Sequence, residues 1–358
     1  MLSTAVTRLL EIDVPLIQAP MGGGPSTPEM AGTVSDAGAL GSLAGGYLSG
    51  SQISQQIAAV RAVTNKPFAV NLFAPHDSAP TPEEIDEAQR LLEPYRRELG
   101  LPARGEAGPA AHDFDEQLHA VIDEKPNVVS FTFGLLPPAA VASLKDAGCV
   151  LIGTATTVAE AVAVAESGAD MVCAQGSEAG AHRGTFLSDG TDALVGTIAL
   201  VPQVRDFVSI PVVAAGGIMD GRGVVAVLAL GAGAAQLGTA FLRCPEAGTA
   251  PAHRQALSTA TDTSTAVSAS ITGKPARGIN NRLMRELAGH AMPAYPHTNA
   301  LTSELRRRAA ELGEAELMSL WAGQGAPLGT ELPARELVAK IAEDAATALT
   351  RLGGAHGS

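Results

Sequence analysis

The chain has 358 residues, 46% of them hydrophobic and 17% charged, with a formal net charge of -13 and a pI of about 5.0. That length accommodates one large barrel with an added lobe, or two ordinary domains, around a sizeable core. The acidic balance repels phosphate backbones and argues against a nucleic-acid partner, and aromatics at 3% leave the interior to aliphatic side chains.

Short apolar runs recur at 15–20, 39–44, 67–73, 128–133, 149–155, 170–176, 211–217 and 233–239. Each is apolar on both faces, the pattern of a parallel strand covered from both sides. Helical periodicity lies between them at 26–37, 51–63, 137–147, 157–167, 191–206 and 221–230. Small glycine-containing motifs at 36–39, 146–148 and 167–169 read as helix C-caps that return the chain to the next strand. Eight strands alternating with helices predict an α/β fold, a (β/α)8 TIM barrel. A doubly wound open sheet is the second choice. Against it, the first strand leads into Met21-Gly22-Gly23-Gly24, which lacks the GxGxxG spacing.

Two stretches break the rhythm. Residues 74–126 read as an insertion with helical patterns at 82–99 and 113–124, and residues 244–334 read as an added helical lobe over the barrel mouth. The expected division is a barrel over 1–243, the lobe over 244–334, and a segment over 335–358. The helix of that last segment, 335–351, returns to the barrel wall, and a short disordered tail follows at Gly353–Ser358. No apolar run approaches the roughly 20 residues that span a bilayer, and the N-terminus lacks the pattern of a signal peptide. Of the three cysteines, Cys149, Cys173 and Cys244, none forms a CxxC pair, which argues against a structural zinc. Cys149 and Cys173 sit in apolar runs as core residues, and such thiols suit a reducing cytoplasm.

Ligands of a barrel sit at the C-terminal ends of its strands, and phosphate is often held after the seventh and eighth. Here those ends read AAGGIMDGRG (214–223) and QLGTAFLRCPE (236–246). Gly216 and Gly217 remove side chains where backbone amides must approach phosphate oxygens. Gly238 and Thr239 begin a helix whose first amides favour an anion, and Thr239 adds a hydroxyl donor. Tight βα turns alone would explain either pair of glycines. Two such loops at the last two strands favour a phosphate site, which suits FMN and other phosphate-bearing ligands.

The densest polar cluster, AQGSEAGAHRGTF (174–186), follows the sixth strand. Gln175 ends that strand, and Gly176, Gly180 and Gly184 permit sharp turns around Glu178, His182 and Arg183. Such a loop brings His182 against a flat ligand, where imidazole can move protons. A surface loop with incidental charges is the competing reading. Met21, at the end of the first strand, offers a soft contact to a ring or simply fills the core. Asn71 ends the third strand and either pairs with a heterocycle edge or caps the core. His76 is a weaker candidate than His182. Asp220 is an acid or, more simply, a helix N-cap. Trp321 and Gln324 cover a ligand or pack the lobe.

The stretches PLIQAPMGGGPSTPEMAGTVSDAGALG, FAVNLFAP, AQGSEAGAHRGTF, PVVAAGGIMDGRG and AAQLGTAFLRCPEAG together resemble the nitronate monooxygenases, from Pro15 to about Gly325. GKPARGINNR (273–282) leans toward the family's bacterial class I branch. One departure is Ala181, where glycine is common. The resemblance implies FMN, bound without a metal at Met21, Gly22, Asn71, Gln175, Gly180, Gly216, Gly217 and the turn Gln236, Leu237, Gly238, Thr239. The phosphate would take the amides of Gly216, Gly217, Gly238 and Thr239, and Gln175 would reach the flavin ring or ribityl chain. His182 would be catalytic, on the substrate side. The implied reaction is oxidation of an alkyl nitronate by FMN and dioxygen to a carbonyl product and nitrite. In it, His182 holds the anion when protonated or takes an α-proton when neutral. Propionate 3-nitronate is the substrate the family suggests, with detoxification as the role and Arg183 or Arg277 meeting its carboxylate. A second reading is an FMN-dependent NAD(P)H:quinone or enoyl-acyl-carrier-protein reductase, from which HRGTF and GKPARG lean away. A third is a phosphate-binding isomerase or a silent binding protein.

Overall fold

The structure is a computed structural model that describes residues 3–75, 78–105, 110–188 and 193–354. Its strands are β1 (Leu16–Gln18), β2 (Gly41–Ala44), β3 (Phe68–Phe73), β4 (Val128–Thr132), β5 (Val150–Ala155), β6 (Met171–Gln175), β7 (Ala181–His182), β8 (Val212–Ala215), β9 (Ala234–Leu237), β10 (Thr265–Ser268) and β11 (Ala276–Ile279). Eight of them form one parallel sheet in the order β1-β9-β8-β6-β5-β4-β3-β2. The seam closes just ahead of β2, where Gln18 N donates to Leu40 O at 2.8 Å and Leu40 N to Leu16 O at 2.9 Å. The fold is a (β/α)8 barrel with helices between its strands.

Alternation along the strands sorts the apolar residues into two layers. Ile17, Ile152, Cys173, Val213 and Ala234 pack along the barrel axis, while their neighbours Leu16, Leu151, Val172, Val212 and Ala235 pack outward against the helices. This is why each run is apolar on both faces. Helix Ala5–Leu10 closes the N-terminal end: Val6 and Leu10 join the axial cluster, and Thr4 Oγ1 donates to Gly233 O at 2.7 Å. Polar residues at the strand C-termini therefore face the opposite, open end.

Several expected elements are placed differently. Within the stretch 74–126, helix Phe114–Glu124 packs against helix Gly50–Val63 and stands in the barrel wall between β3 and β4. Its Gln117 Nε2 donates to Gly45 O and Leu48 O. Helix Pro82–Glu98 instead packs on the lobe helix His297–Leu312, joined to it by the Arg96–Glu304 pair at 2.6 Å. The stretch 244–334 is not purely helical, since β10 and β11 lie within it and form an antiparallel sheet with β7. The helix expected from 191 starts at Thr197, whose amide donates to both oxygens of the Glu178 carboxylate at 2.9 Å. Helix Ala334–Gly354 packs on helices Gly221–Ala229 and Pro28–Asp36 and includes Gly353. His76 and the last tail residues, 355–358, lie outside the described residues. Among those described, no helix is long and apolar enough to cross a membrane.

Helix Pro28–Asp36 lies so close to β2 that a Cβ built on Gly41 would stand 1.9 Å from the Ala31 carbonyl oxygen. Backbone cannot yield as a side chain does, so Gly41→Ala is expected to cost about 3 kcal/mol. Urea unfolding at unchanged slope reads this directly, and a loss below about 1 kcal/mol would contradict the packing.

Candidate active site

A cavity of about 530 Å³ opens at the C-terminal end of the barrel. Its size is that of a small-molecule or cofactor pocket. Met21, Gly22, Asn71, Gln175, Gly180 and His182 line it, as do Gly216, Gly217, Gln236, Gly238 and Thr239. Leu237 does not: its side chain is 1% exposed and packs outward in the helix-facing core.

The histidine loop is held from beneath by Arg183, which is fully buried. One terminal nitrogen donates to Gly176 O at 2.6 Å and Gln175 Oε1 at 3.1 Å, and the other to Gln175 O at 3.0 Å and Ala193 O at 3.3 Å. Burial lowers its pKa to about 10, against the opposing pull of Glu160 and Glu178. Gln175 continues the clamp, its Oε1 accepting from Gly184 N at 2.8 Å and its Nε2 donating to His182 O at 3.0 Å. The Gln175 amide is thus committed to the loop and has one N–H left for a ligand, a smaller part than the expected reach to a flavin. Arg183 and Arg277, the expected carboxylate partners, both lie outside the cavity wall. Arg277 donates to Ser177 O at 2.9 Å and Thr265 Oγ1 at 3.2 Å. The far end of the loop is anchored on buried Glu160, which accepts from Thr156, Thr185, Phe186 and Leu187. Burial raises the Glu160 pKa, but hydrogen bonds from Leu187, Phe186 and Thr156 outweigh it and hold the carboxyl below its ordinary value.

His182 sits on β7, paired through Ala276 with β11. Its Nε2 lies 2.9 Å from Thr272 Oγ1, whose own proton goes to Lys274 O at 3.1 Å. A threonine hydroxyl has one proton, so His182 donates from Nε2 and its Nδ1 is bare. Around the imidazole stand Phe133 at 5.5 Å, Tyr295 at 5.6 Å and Trp321 at 5.7 Å between ring centroids. Burial, then the charges of Lys274 and Arg306, pull the His182 pKa down to about 3, which makes the ring neutral at physiological pH.

At the other end of the cavity, Gly216 (φ +119°) and Gly217 (φ +70°) turn through the left-handed half of backbone space. Such a turn points successive amides toward a common point and suits an anion. Gly238 and Thr239 lead not into a full helix but into a single 3-10 turn, Thr239–Phe241. Thr239 Oγ1 accepts from Gly323 N at 2.9 Å and keeps its own proton for a ligand. Asp220 is the N-cap of helix Gly221–Ala229 and pairs with Arg222 at 2.6 Å. Trp321 lines the cavity, whereas Gln324 lies outside it and donates its backbone N–H to Glu178 O at 3.0 Å.

Sequence reasoning missed Tyr47, Tyr295, Thr272 and Arg306. The signal available was scarcity: in a chain with one tryptophan and three tyrosines, the tryptophan and two of the tyrosines stand at this chamber. Arg306 lines the cavity and is held by Thr302 at 3.1 Å, Ser319 at 3.3 Å and Asn299 at 2.7 Å. Among the described residues no carboxylate pairs with it; burial lowers its pKa and Tyr47 and Tyr295 partly oppose this.

Ala181 has φ +61°, a conformation that costs a β-carbon about 1 kcal/mol. The methyl at this departure from glycine is therefore a source of strain. Ala181→Gly should raise stability by up to about 1 kcal/mol in chemical denaturation, and a loss would show that the loop does not hold this backbone angle.

The profile of the nitronate monooxygenase family matches residues 3–344. A probable nitronate monooxygenase of Staphylococcus saprophyticus is 43% identical over 98% of this chain and 99% of its own. One from Staphylococcus aureus is 42% identical over 94% and 95%. Among solved structures, the nitroalkane oxidase of Streptomyces ansochromogenes superposes with a TM-score of 0.92 at 42% identity, covering 98% of this chain and 100% of its own. FabK from Thermotoga maritima gives 0.79 at 30% identity, covering 99% of each. The barrel, the histidine loop and these likenesses agree: the chain belongs to the nitronate monooxygenase family, oxidoreductases that act on nitronates.

Proposed function

We propose that the chain oxidises alkyl nitronates, propionate 3-nitronate among them, with FMN as resident cofactor and dioxygen as oxidant. One observation carries the reading: a single cavity joins the Gly216–Gly217 turn to His182. The turn, the free hydroxyl proton of Thr239 and the apolar wall at Met21 fit a phosphate and a flat ring system. FMN bound there would accept electrons from the nitronate and pass them to dioxygen.

The neutral state of His182 favours the second of its two expected roles, proton abstraction. With a pKa of about 3, imidazolium is not at hand to hold an anion. The bare Nδ1 would be the acceptor for the α-proton of a neutral nitroalkane, the nitronate formed beside it offsetting the burial and the Lys274 and Arg306 charges that otherwise disfavour the imidazolium. The cation that meets an anionic substrate is Arg306, a guanidinium in the cavity wall without a carboxylate partner among the described residues. We assign to it the carboxylate of propionate 3-nitronate. The nicotinamide-dependent reductase reading is less well supported, since the family match and the likeness to the nitroalkane oxidase both favour nitronate chemistry.

A visible spectrum of the purified protein, followed by anaerobic addition of propionate 3-nitronate or NADH, tests the whole reading. Flavin bands that bleach with the nitronate and not with NADH are expected, and the reverse would favour the reductase. His182→Asn should keep FMN and lose about 100-fold or more in turnover of neutral nitroalkane. With preformed nitronate, kcat/KM should show no inflection near pH 6.5, because the folded imidazole titrates far below its unfolded value; a histidine-like inflection would contradict the neutral assignment. Arg306→Met should raise KM for propionate 3-nitronate about tenfold and leave an uncharged alkyl nitronate nearly unchanged. Equal rises would move Arg306 from the carboxylate to the nitronate group.

A further inference from the structure

Thr249 and His253 also line the cavity, and each is only 6% exposed. Thr249 stands just before helix Pro251–Ser258, which carries His253 in its first turn. Arg254 pins this segment by donating to Arg243 O at 2.8 Å, Cys244 O at 2.6 Å, Ala247 O at 2.7 Å and Thr249 O at 3.2 Å. The two side chains therefore project from backbone that has little freedom to rearrange.

Each of the two has a polar atom with no use inside the protein. Thr249 Oγ1 and His253 Nε2 are buried and have no hydrogen-bond partner among the described residues. The nearby backbone of Trp321 favours the protonated ring, while Nε2 has no partner among the described residues. Burial holds this ring, too, in its neutral form, at a pKa of about 4. Buried polar atoms without partners are few in folded proteins and each lowers stability. Of the four such side-chain atoms among the described residues, Arg183 Nε and Thr330 Oγ1 belong to residues outside the cavity wall, whereas these two belong to residues that line it four positions apart, where a ligand can complete the hydrogen bonds.

We propose that Thr249 and His253 form a neutral hydrogen-bonding subsite of the cavity, which takes a hydroxyl or N–H group of a bound ligand. His253 Nε2 accepts or donates according to its tautomer, and the Thr249 hydroxyl can do either. Neither group carries a charge, so this flank is chemically distinct from Arg306. Two ligands could supply the group: the ribityl chain of FMN, which rests on the function proposed above, or a hydroxyl on the nitronate substrate.

The test uses Thr249→Val, which replaces the hydroxyl by a methyl, and His253→Asn, which keeps a polar group near the position of Nδ1 and removes Nε2. Flavin-stripped protein is melted and then titrated with FMN by fluorescence; holoenzyme is assayed with nitronates of equal length, with and without a hydroxyl group. Both variants should melt a few degrees higher when stripped, because a partnerless buried atom is gone, and should weaken one ligand about three- to tenfold. Weaker FMN binding assigns the subsite to the cofactor, and a KM rise confined to the hydroxylated nitronate assigns it to substrate. A lower melting temperature with both ligands unchanged would make the pair merely structural and overturn the proposal. Wild-type protein that takes up no FMN would overturn the cofactor reading instead, and the melting comparison would still decide the subsite.

Discussion

The site depends on one buried guanidinium. Arg183 gathers the end of β6 and the carbonyl of Ala193 around itself, and through Gln175 Oε1 it shares an acceptor with Gly184. A charge removed from water is costly unless its donors are satisfied, and here both terminal nitrogens are, while Nε has no partner among the described residues. Here the carboxylates of Glu160 and Glu178 offset part of that cost at longer range. The loop cannot relax without stripping the guanidinium of its acceptors. That is the physical reason His182 stands at a defined place, on a segment with three glycines that would otherwise be mobile.

A second constraint follows from the short strand β7. Because His182 lies on it, the imidazole is part of the lobe sheet as well as of the barrel loop. Its hydrogen-bond partner Thr272, the nearby Lys274 and the aromatic faces of Tyr295 and Trp321 all come from beyond residue 244. The lobe thus sets the electrostatics of the residue at the barrel mouth. It places two cations near the ring, excludes water, and leaves the imidazole neutral while offering positive charge to an anionic ligand. The pocket is divided by chemistry: backbone amides at the Gly216–Gly217 turn, a guanidinium at Arg306, and neutral imidazoles at His182 and His253.

Much of the barrel was legible because parallel strands covered on both faces impose apolar runs, and helices between them impose a different period. The misplacements have local causes. Helix Thr197–Phe207 starts late because the Glu178 carboxylate caps it from another loop. The segment after Gly238 is a single 3-10 turn whose Thr239 hydroxyl accepts from Gly323 N in the lobe. The two strands of the lobe escaped notice because TAVS and ARGI are short and only half apolar, and their order comes from pairing with each other and with β7. Leu237 was drawn into the candidate site by its neighbours, yet strand alternation turns it away from the mouth.

The sequence by itself determined the barrel, the two glycine turns, the position of His182 in a glycine-rich loop and the likeness to the nitronate monooxygenases. All of these are written in local spacing and in residue types that tolerate few alternatives. Only the tertiary structure decided the state and partners of those residues. Arg183 and Arg277 look like ligands in the sequence and are struts in the fold, while Arg306 and His253 carry no local signal and line the cavity. Burial, tautomer and charge environment arise from contacts between segments far apart in the chain, and no short-range pattern encodes them.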